Sequence, residues 1–262
     1  MPLGFVVAVS LATTDVIGNP VYGWHPENYQ QVFSAAFLPP LFRSIWFASM
    51  ATAICLLVGY PVAYTLARFG GRYKGMLVAL IVLPWFVDYL VRIYAWVVMF
   101  DDHGVVNGIL SRLGMHGSPP VRFLNTPWAV IGGLVYDYFP FMVLPLFAAI
   151  DHLDPRLIEA GKDLYGSPRQ TFWRVTWPNT SQGILAGCVL VFLPAAGDFV
   201  TTEILGGPNT SMIGTLVQDQ FSGGGYWPFG AALTVVLIAL LSTLMVLYLR
   251  STARASEGAA AW

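Results

Sequence analysis

The stretch that decides the fold reads Glu159-Ala160-Gly161, then Tyr165-Gly166, then Val175-Thr176-Trp177-Pro178, inside a polar segment at 151–178. Long apolar runs flank it on both sides. A helix needs about 20 apolar residues to cross a bilayer, so this segment reads as a loop between crossings. A loop of that kind is where an integral membrane protein can be pushed from outside the bilayer.

Composition agrees. Of 262 residues, 56% are apolar and 10% charged, with 13 Lys+Arg against 14 Asp+Glu. Soluble domains carry about 25% charge. The near-zero net charge and the lack of a dense basic patch give no reason to expect nucleic acid. Cys55 and Cys188 lie in apolar runs and read as buried free thiols, not as a disulfide framework or CxxC site. Nothing resembles a cleavable targeting peptide with its own basic region.

Four stretches are long enough to cross: 44–67, 76–100, 128–150 and 228–249. A fifth, 183–205, is apolar through Ala196 and then carries Asp198 and Glu203. Pro2 to Ala12 is apolar but reaches only about 17 Å as helix, against a hydrocarbon core of about 30 Å. It reads as a sixth crossing, short, tilted or truncated. The expectation is one all-α integral membrane domain over 1–262, without internal repeat or linker. Pro61, Pro84, Pro140, Pro145 and Pro194 lie inside the crossings, where each removes a backbone donor and can kink its helix.

If all six segments cross, Arg68, Arg72, Lys74, Arg156, Lys162, Arg169, Arg174, Arg250 and Arg254 share one side. Positive-inside bias puts that side, both termini and the 151–178 loop in the cytoplasm. The other side holds Arg43, Arg112 and Arg122 with Asp15, Glu27, Asp101 and Asp102. Gly206-Gly207-Pro208-Asn209 and Gly223-Gly224-Gly225 read as external turns.

Asp88, Arg92, Asp137 and Asp198 fall where a charge costs about 2.5–3.5 kcal/mol, so they are candidates to line a path. Counting about 1.5 Å per residue puts Asp88 about 18 Å from the inner end of its span and Asp137 about 14 Å from the outer end. Both then sit near the midplane. Asp88 and Arg92, four apart on one helix face, can pair or face solute, whereas Asp137 has no basic neighbour in sequence. Glu203 falls beyond the core. Acids in these positions attract a cation, and Trp85, Phe86, Tyr89, Tyr94, Trp96, Tyr136 and Tyr138 could face one with their rings.

Within the loop, Asp154-Pro155 can cap and start one short helix. Ser167-Pro168 can start a second, running to about Val175 before Pro178 breaks it. The bend between them lies at Tyr165-Gly166, and the whole forms a protruding knob.

These residues resemble the EAA loop of ABC importer permeases: Glu-Ala-Ala, three residues, Gly, nine residues, Ile-x-Leu-Pro. The spacing fits throughout, while Gly161 replaces the second Ala, Tyr165 stands where Gly is usual, and Trp177 replaces Leu. Gly59-Tyr60-Pro61, Leu90-Val91-Arg92-Ile93-Tyr94, Gly133-Leu134-Val135-Tyr136, Leu205-Gly206-Gly207-Pro208-Asn209 and Trp227-Pro228-Phe229-Gly230-Ala231-Ala232 look like the spermidine/putrescine permeases of the PotB type. The resemblance covers the chain after about residue 40.

It implies a type I ABC importer transmembrane domain in a bacterial inner membrane. The implied partners are a second homologous permease, two cytoplasmic ATPase subunits and an extracytoplasmic solute-binding protein. The chain itself would bind no cofactor and catalyse nothing, ATP being used by the partner subunits. Glu159, Ala160, Gly161, Tyr165, Gly166 and Pro178 would form the ATPase-coupling loop. The implied cargo is a small cationic solute of the polyamine class; an amino acid, opine or other small organic solute is the alternative within the same class. A membrane enzyme is the remote alternative: His25, His103, His116 and His152 lack metal-ligand spacing, and no phosphate-binding loop occurs.

Overall fold

The computed structural model describes residues 2–15, 20–34, 37–114, 121–222 and 226–259. Gly223-Gly224-Gly225 and His116 lie outside the described residues.

Helices carry the chain because backbone donors and acceptors in hydrocarbon have only each other as partners. After α1 (Pro2–Ser10) and α2 (Glu27–Val32), α3 runs from Leu38 to Phe69 and ends where Gly70 N–H returns to Leu66 O at 3.1 Å. Then come α4 (Lys74–Val82), a 3-10 turn over Leu83–Phe86, α5 (Tyr89–Phe100) and α6 (Val105–Arg112). Thr126 accepts Ala129 N–H at 3.2 Å and Pro127 occupies the first turn of α7 (Pro127–Asp151), a donor-free start suited to proline. The loop holds α8 (Pro155–Tyr165) and α9 (Pro168–Thr171), a π-helical turn over Phe172–Thr176, and α10 (Trp177–Asn179). The chain closes with α11 (Ser181–Gly197), α12 (Val200–Leu205), α13 (Ile213–Ser222) and α14 (Trp227–Ala259).

Among the described residues, three helices are long and apolar enough to cross alone: α3, α7 and Trp227–Val246 of α14. Two bent pairs bring the total to as many as five. Six crossings are not reached, because α1 is nine residues long and rises only about 14 Å.

The expected continuous crossing at 76–100 is broken. Gly71–Phe86 and Tyr89–Arg112 meet at 86°. Pro84 sits in the 3-10 turn, Val87 is extended at ψ 140°, and Asp88 Oδ1 accepts Leu90 N–H at 3.0 Å and Val91 N–H at 3.3 Å. An acid that starts a new helix and a proline that ends the old one make the bend. With the helix bent by 86° the rise per residue from Met76 no longer carries Asp88 to the midplane. The expected span 183–205 likewise ends early, at Gly197; Asp198 and Phe199 form the break before α12, with Asp198 accepting Thr201 N–H at 3.0 Å. Pro61, Pro140, Pro145 and Pro194 stay inside helices.

The chain divides into two compact units, one of Met1–Phe47, Trp96–Val130 and Leu193–Trp262, the other of Ala48–Ala95 and Ile131–Phe192. In the first, α1 packs against α14, and α2 and α13 pack against α14 over Val32, Ile213, Phe229, Ala232 and Leu233. Asn28 caps the end of α1, donating to Ser10 O at 2.9 Å and Ala12 O at 3.0 Å. A short antiparallel bridge pairs Thr13–Thr14 with Pro20–Val21.

In the second unit, α3, α7 and α11 share a core of Cys55, Tyr60, Met142, Leu146, Ile150 and Val191. Both cysteines are free thiols, and Cys55 Sγ donates to Val135 O at 3.5 Å. Two glycines set how closely α7 and α11 approach. A Cβ on Gly183 would meet Ala149 Cβ and stand 2.8 Å from Pro145 O; one on Gly187 would stand 2.7 Å from Met142 Sδ. Their four-residue spacing is the small-residue seam that lets membrane helices touch backbone to backbone.

Gly183→Leu is therefore expected to force these helices apart at about 1–3 kcal/mol. It should lower the detergent-solubilised protein's thermal midpoint, while Gly132→Leu, at a site with nothing within 4 Å, should leave it unchanged.

Candidate functional site

Two groups of residues are the candidates: the loop at 151–178 and the charges within or beside the apolar helices. The loop is built as its sequence dictates. Asp154 accepts Arg156 N–H at 2.9 Å and Pro155 opens α8. Gly166 ends it at φ 63°, its N–H on Lys162 O at 2.8 Å. That left-handed cap puts the turn on Gly166, so Tyr165 closes the helix, with Arg174 5.0 Å over its ring.

Gly161 is buried where α8 crosses the second helical stretch: a Cβ there would lie 2.8 Å from Val175 Cγ2 and 2.9 Å from Thr171 Cγ2. Glycine in place of alanine is thus matched by β-branched neighbours. Glu159 and Ala160 are exposed. Leu157, Ala160 and Leu164, at i, i+3 and i+7, form an exposed apolar stripe, Leu164 being 74% exposed.

Pro178 does not end the second helix where expected, because the chain continues helically to Asn179. The π-helical turn before it widens the coil and relieves the clash of the proline ring with the carbonyl four residues back. The helix stops at Thr180, and α11 departs at 65° from the axis of Pro168–Asn179. The basic segment at 68–74 lies at the same end of this unit: Arg68 Nη2 donates to Leu153 O at 3.1 Å, and Lys74 pairs with Asp151.

The charges fall differently from expectation. Arg92 Nη1 stands 3.0 Å from Asp137 Oδ1, with the residues 8% and 2% exposed. Arg92 therefore pairs across helices with Asp137 and not with Asp88 along its own helix, so Asp137 has a basic partner distant in sequence where it has none nearby. Sequence separation hid this contact. Asp88, released from Arg92, is exposed and caps α5. Leu83 to Asp88 are exposed without interruption, Phe86 at 81%.

Asp198 and Glu203 belong to the other unit. Asp198 is buried, accepting Thr201 N–H at 3.0 Å and the Thr201 hydroxyl at 2.9 Å. Glu203 is exposed on α12. The turn at Gly206-Gly207-Pro208-Asn209 is held by Thr210, which accepts Gly207 N–H at 2.6 Å, while Asn125 N–H reaches Leu205 O at 3.0 Å.

Sequence reading missed Tyr60 and Thr180, which meet at 2.9 Å under the loop, and the Gly183/Gly187 seam. Spacing alone could have found the seam.

Because a half-removed buried ion pair leaves an unneutralised charge, Arg92→Met or Asp137→Leu alone should lose about 3–5 kcal/mol. The double variant Arg92→Met/Asp137→Leu should regain most of the folded yield, measured by size-exclusion chromatography and thermal stability.

The chain matches, over residues 56–255, the family described as "Binding-protein-dependent transport system inner membrane component". It is 39% identical over 251 residues to the spermidine/putrescine transport system permease protein PotB of Haemophilus influenzae, covering 96% of this chain and 87% of that protein. Its identity to the PotB protein of Escherichia coli is 36% over 252 residues, covering 96% and 91%. The inner membrane ABC transporter permease protein YdcU of Escherichia coli is 32% identical over 231 residues, covering 82% and 72%. A crystal structure of a bacterial ABC transporter involved in import of the acidic polysaccharide alginate superposes with a TM-score of 0.75 at 17% identity, covering 96% of this chain and 89% of that one. Family, relatives and fold agree: the chain belongs to the inner-membrane permeases of binding-protein-dependent ABC importers and is similar over 96% of its length to PotB proteins.

Proposed function

We propose that this permease pairs with a second, homologous one to form the transmembrane path of an importer for small cations of the polyamine class. Two cytoplasmic ATPase subunits drive it and an extracytoplasmic binding protein delivers the solute. The single 1–262 domain carries both the path and the 151–178 coupling loop. The observation that carries this reading is the exposed break at Leu83–Asp88. Irregular backbone and a carboxylate cannot face lipid, so this surface faces a water-filled path or the partner permease. Asp88 is then the acid best placed to meet a cation, and Glu203 is a second exposed acid. Arg92, Asp137 and Asp198 act beside them by fixing the helices.

Substrate class rests on the names of relatives 39% and 36% identical together with that acid. A different small solute, such as an amino acid or opine, is the second reading. It is favoured by a relative named for molybdenum transport in Azotobacter vinelandii, 31% identical over 160 residues, since one family serves unlike cargoes.

For the loop, the stripe of Leu157, Ala160 and Leu164 supports an ATPase contact. Exposed apolar residues on a polar, non-crossing segment mark a protein partner. Glu159 lies beside the stripe, and the turn at Gly166 and the helix through Pro178 set its presentation. The basic segment at 68–74 and the loop, together at one end of their unit, fit a cytoplasmic side by positive-inside bias, with the carboxyl terminus there as well; the amino terminus joins them if α1 completes a sixth crossing.

Two measurements test this. Asp88→Asn keeps the helix cap, since asparagine caps as well as aspartate, and removes the charge. Uptake of putrescine or spermidine by the reconstituted complex should fall by about tenfold, equivalent to about 1.4 kcal/mol, with assembly intact. Unchanged uptake removes Asp88 from the path, and preference of the cognate binding protein for a neutral or anionic solute removes the polyamine assignment. Separately, Glu159→Lys or Leu164→Asp should reduce co-purification of the ATPase subunits. Normal co-purification and normal coupling would defeat the loop assignment.

A further inference from the structure

We infer that Tyr60 of α3 is the positioning residue through which displacement of the 151–178 loop is handed to the crossing helices. The inference rests on the coupling reading above and adds the contact that performs it. Tyr60 is buried at 6% exposure, inside a helix otherwise made for lipid and packing. Its ring lies 5.3 Å from that of Trp177 and 5.5 Å, edge-on, from that of Phe172. Trp173, half exposed on the loop surface, stands 5.3 Å from Trp177. A continuous run of rings therefore leads from the exterior of the loop to α3.

The polar end of Tyr60 is held as well. Its Oη is 2.9 Å from Thr180 Oγ1, and Thr180 Oγ1 is also 2.9 Å from Thr176 O. A threonine hydroxyl has one proton. The carbonyl takes it, so the tyrosine O–H donates to Thr180. Thr180 is the joint at which the axis turns by 65° into α11. Tyr60 thus grips the loop by its aromatic face and the joint by its hydroxyl.

On α3 itself, Tyr60 immediately precedes Pro61. The proline has no N–H to return to Leu57 O, so the helix is weakest there. A pull on Tyr60 acts where α3 bends most easily. Trp177, which stands where the loop pattern has leucine, supplies the ring that faces Tyr60. Its departure from the pattern is matched across the contact.

A chain of contacts does not itself prove energetic coupling, so the test measures coupling directly. Full complexes carrying Tyr60→Phe, Tyr60→Leu, Thr180→Val or Tyr60→Phe/Thr180→Val are reconstituted in vesicles, and ATP hydrolysis and putrescine uptake are read from the same preparation. Tyr60→Leu should co-purify with the ATPase subunits and hydrolyse ATP, while uptake per ATP falls roughly three- to thirtyfold, the span of such coupling effects. Tyr60→Phe and Thr180→Val should each lower that ratio less, and their combination should be no worse than Thr180→Val alone, because both break the Tyr60–Thr180 bond.

Unchanged uptake per ATP in Tyr60→Leu overturns the inference. So does loss of hydrolysis and assembly in step with uptake in both Tyr60→Leu and Tyr60→Phe, which marks a merely structural residue. Glu159→Lys, assayed in parallel, separates the two levels. Lost ATPase docking there with normal coupling in the Tyr60 variants sinks only the role of Tyr60. Normal docking there sinks the coupling reading beneath it.

Discussion

A charge or a free backbone group at membrane depth has to be answered within the protein, and this constraint organises the chain. Asp137 is answered by Arg92. Asp198 is answered by the N–H and hydroxyl of Thr201. Asp88 is answered by the first N–H groups of α5. Asp88 directly precedes α5 and Asp198 lies in the two-residue break before α12, so the breaks and the charges are one feature. Lipid leaves no third option: an unanswered group costs several kcal/mol.

Much of this was legible in the residues. Asp154-Pro155 and Gly166 specify the two ends of α8 through cap chemistry that acts over four residues, and the structure has both. The three long apolar runs needed only their length. What local reading could not supply was anything set by a partner distant in sequence. Arg92 and Asp88, four apart, invited a helical pair, but the structure gives the guanidinium to a carboxylate on α7. The straight crossing at 76–100 failed for a related reason. Pro84 and Asp88 each suggest a mild perturbation alone, while together they end one helix and begin the next. Pro178 erred the other way, since the π-helical turn beside it cannot be seen from propensity.

The loop shows how departures from a family pattern are absorbed by their neighbours. Gly161, in place of alanine, lies against Val175 and Thr171 at distances a methyl group would violate. Trp177, in place of leucine, meets the ring of Tyr60. The turn moved by one residue is carried by Gly166, which alone of the pair Tyr165-Gly166 adopts positive φ without strain. Each substitution is local in sequence and compensated across a contact, so the loop keeps its shape with different residues.

The glycine seam between α7 and α11 has a mechanical consequence. Where side chains separate two helices, they can slide by exchanging rotamers. Backbones in direct contact have no such compliant layer. At Gly183 and Gly187 these two helices must therefore travel as a single stiff plate. Deformation within that unit is left to its joints, such as the turn at Thr180.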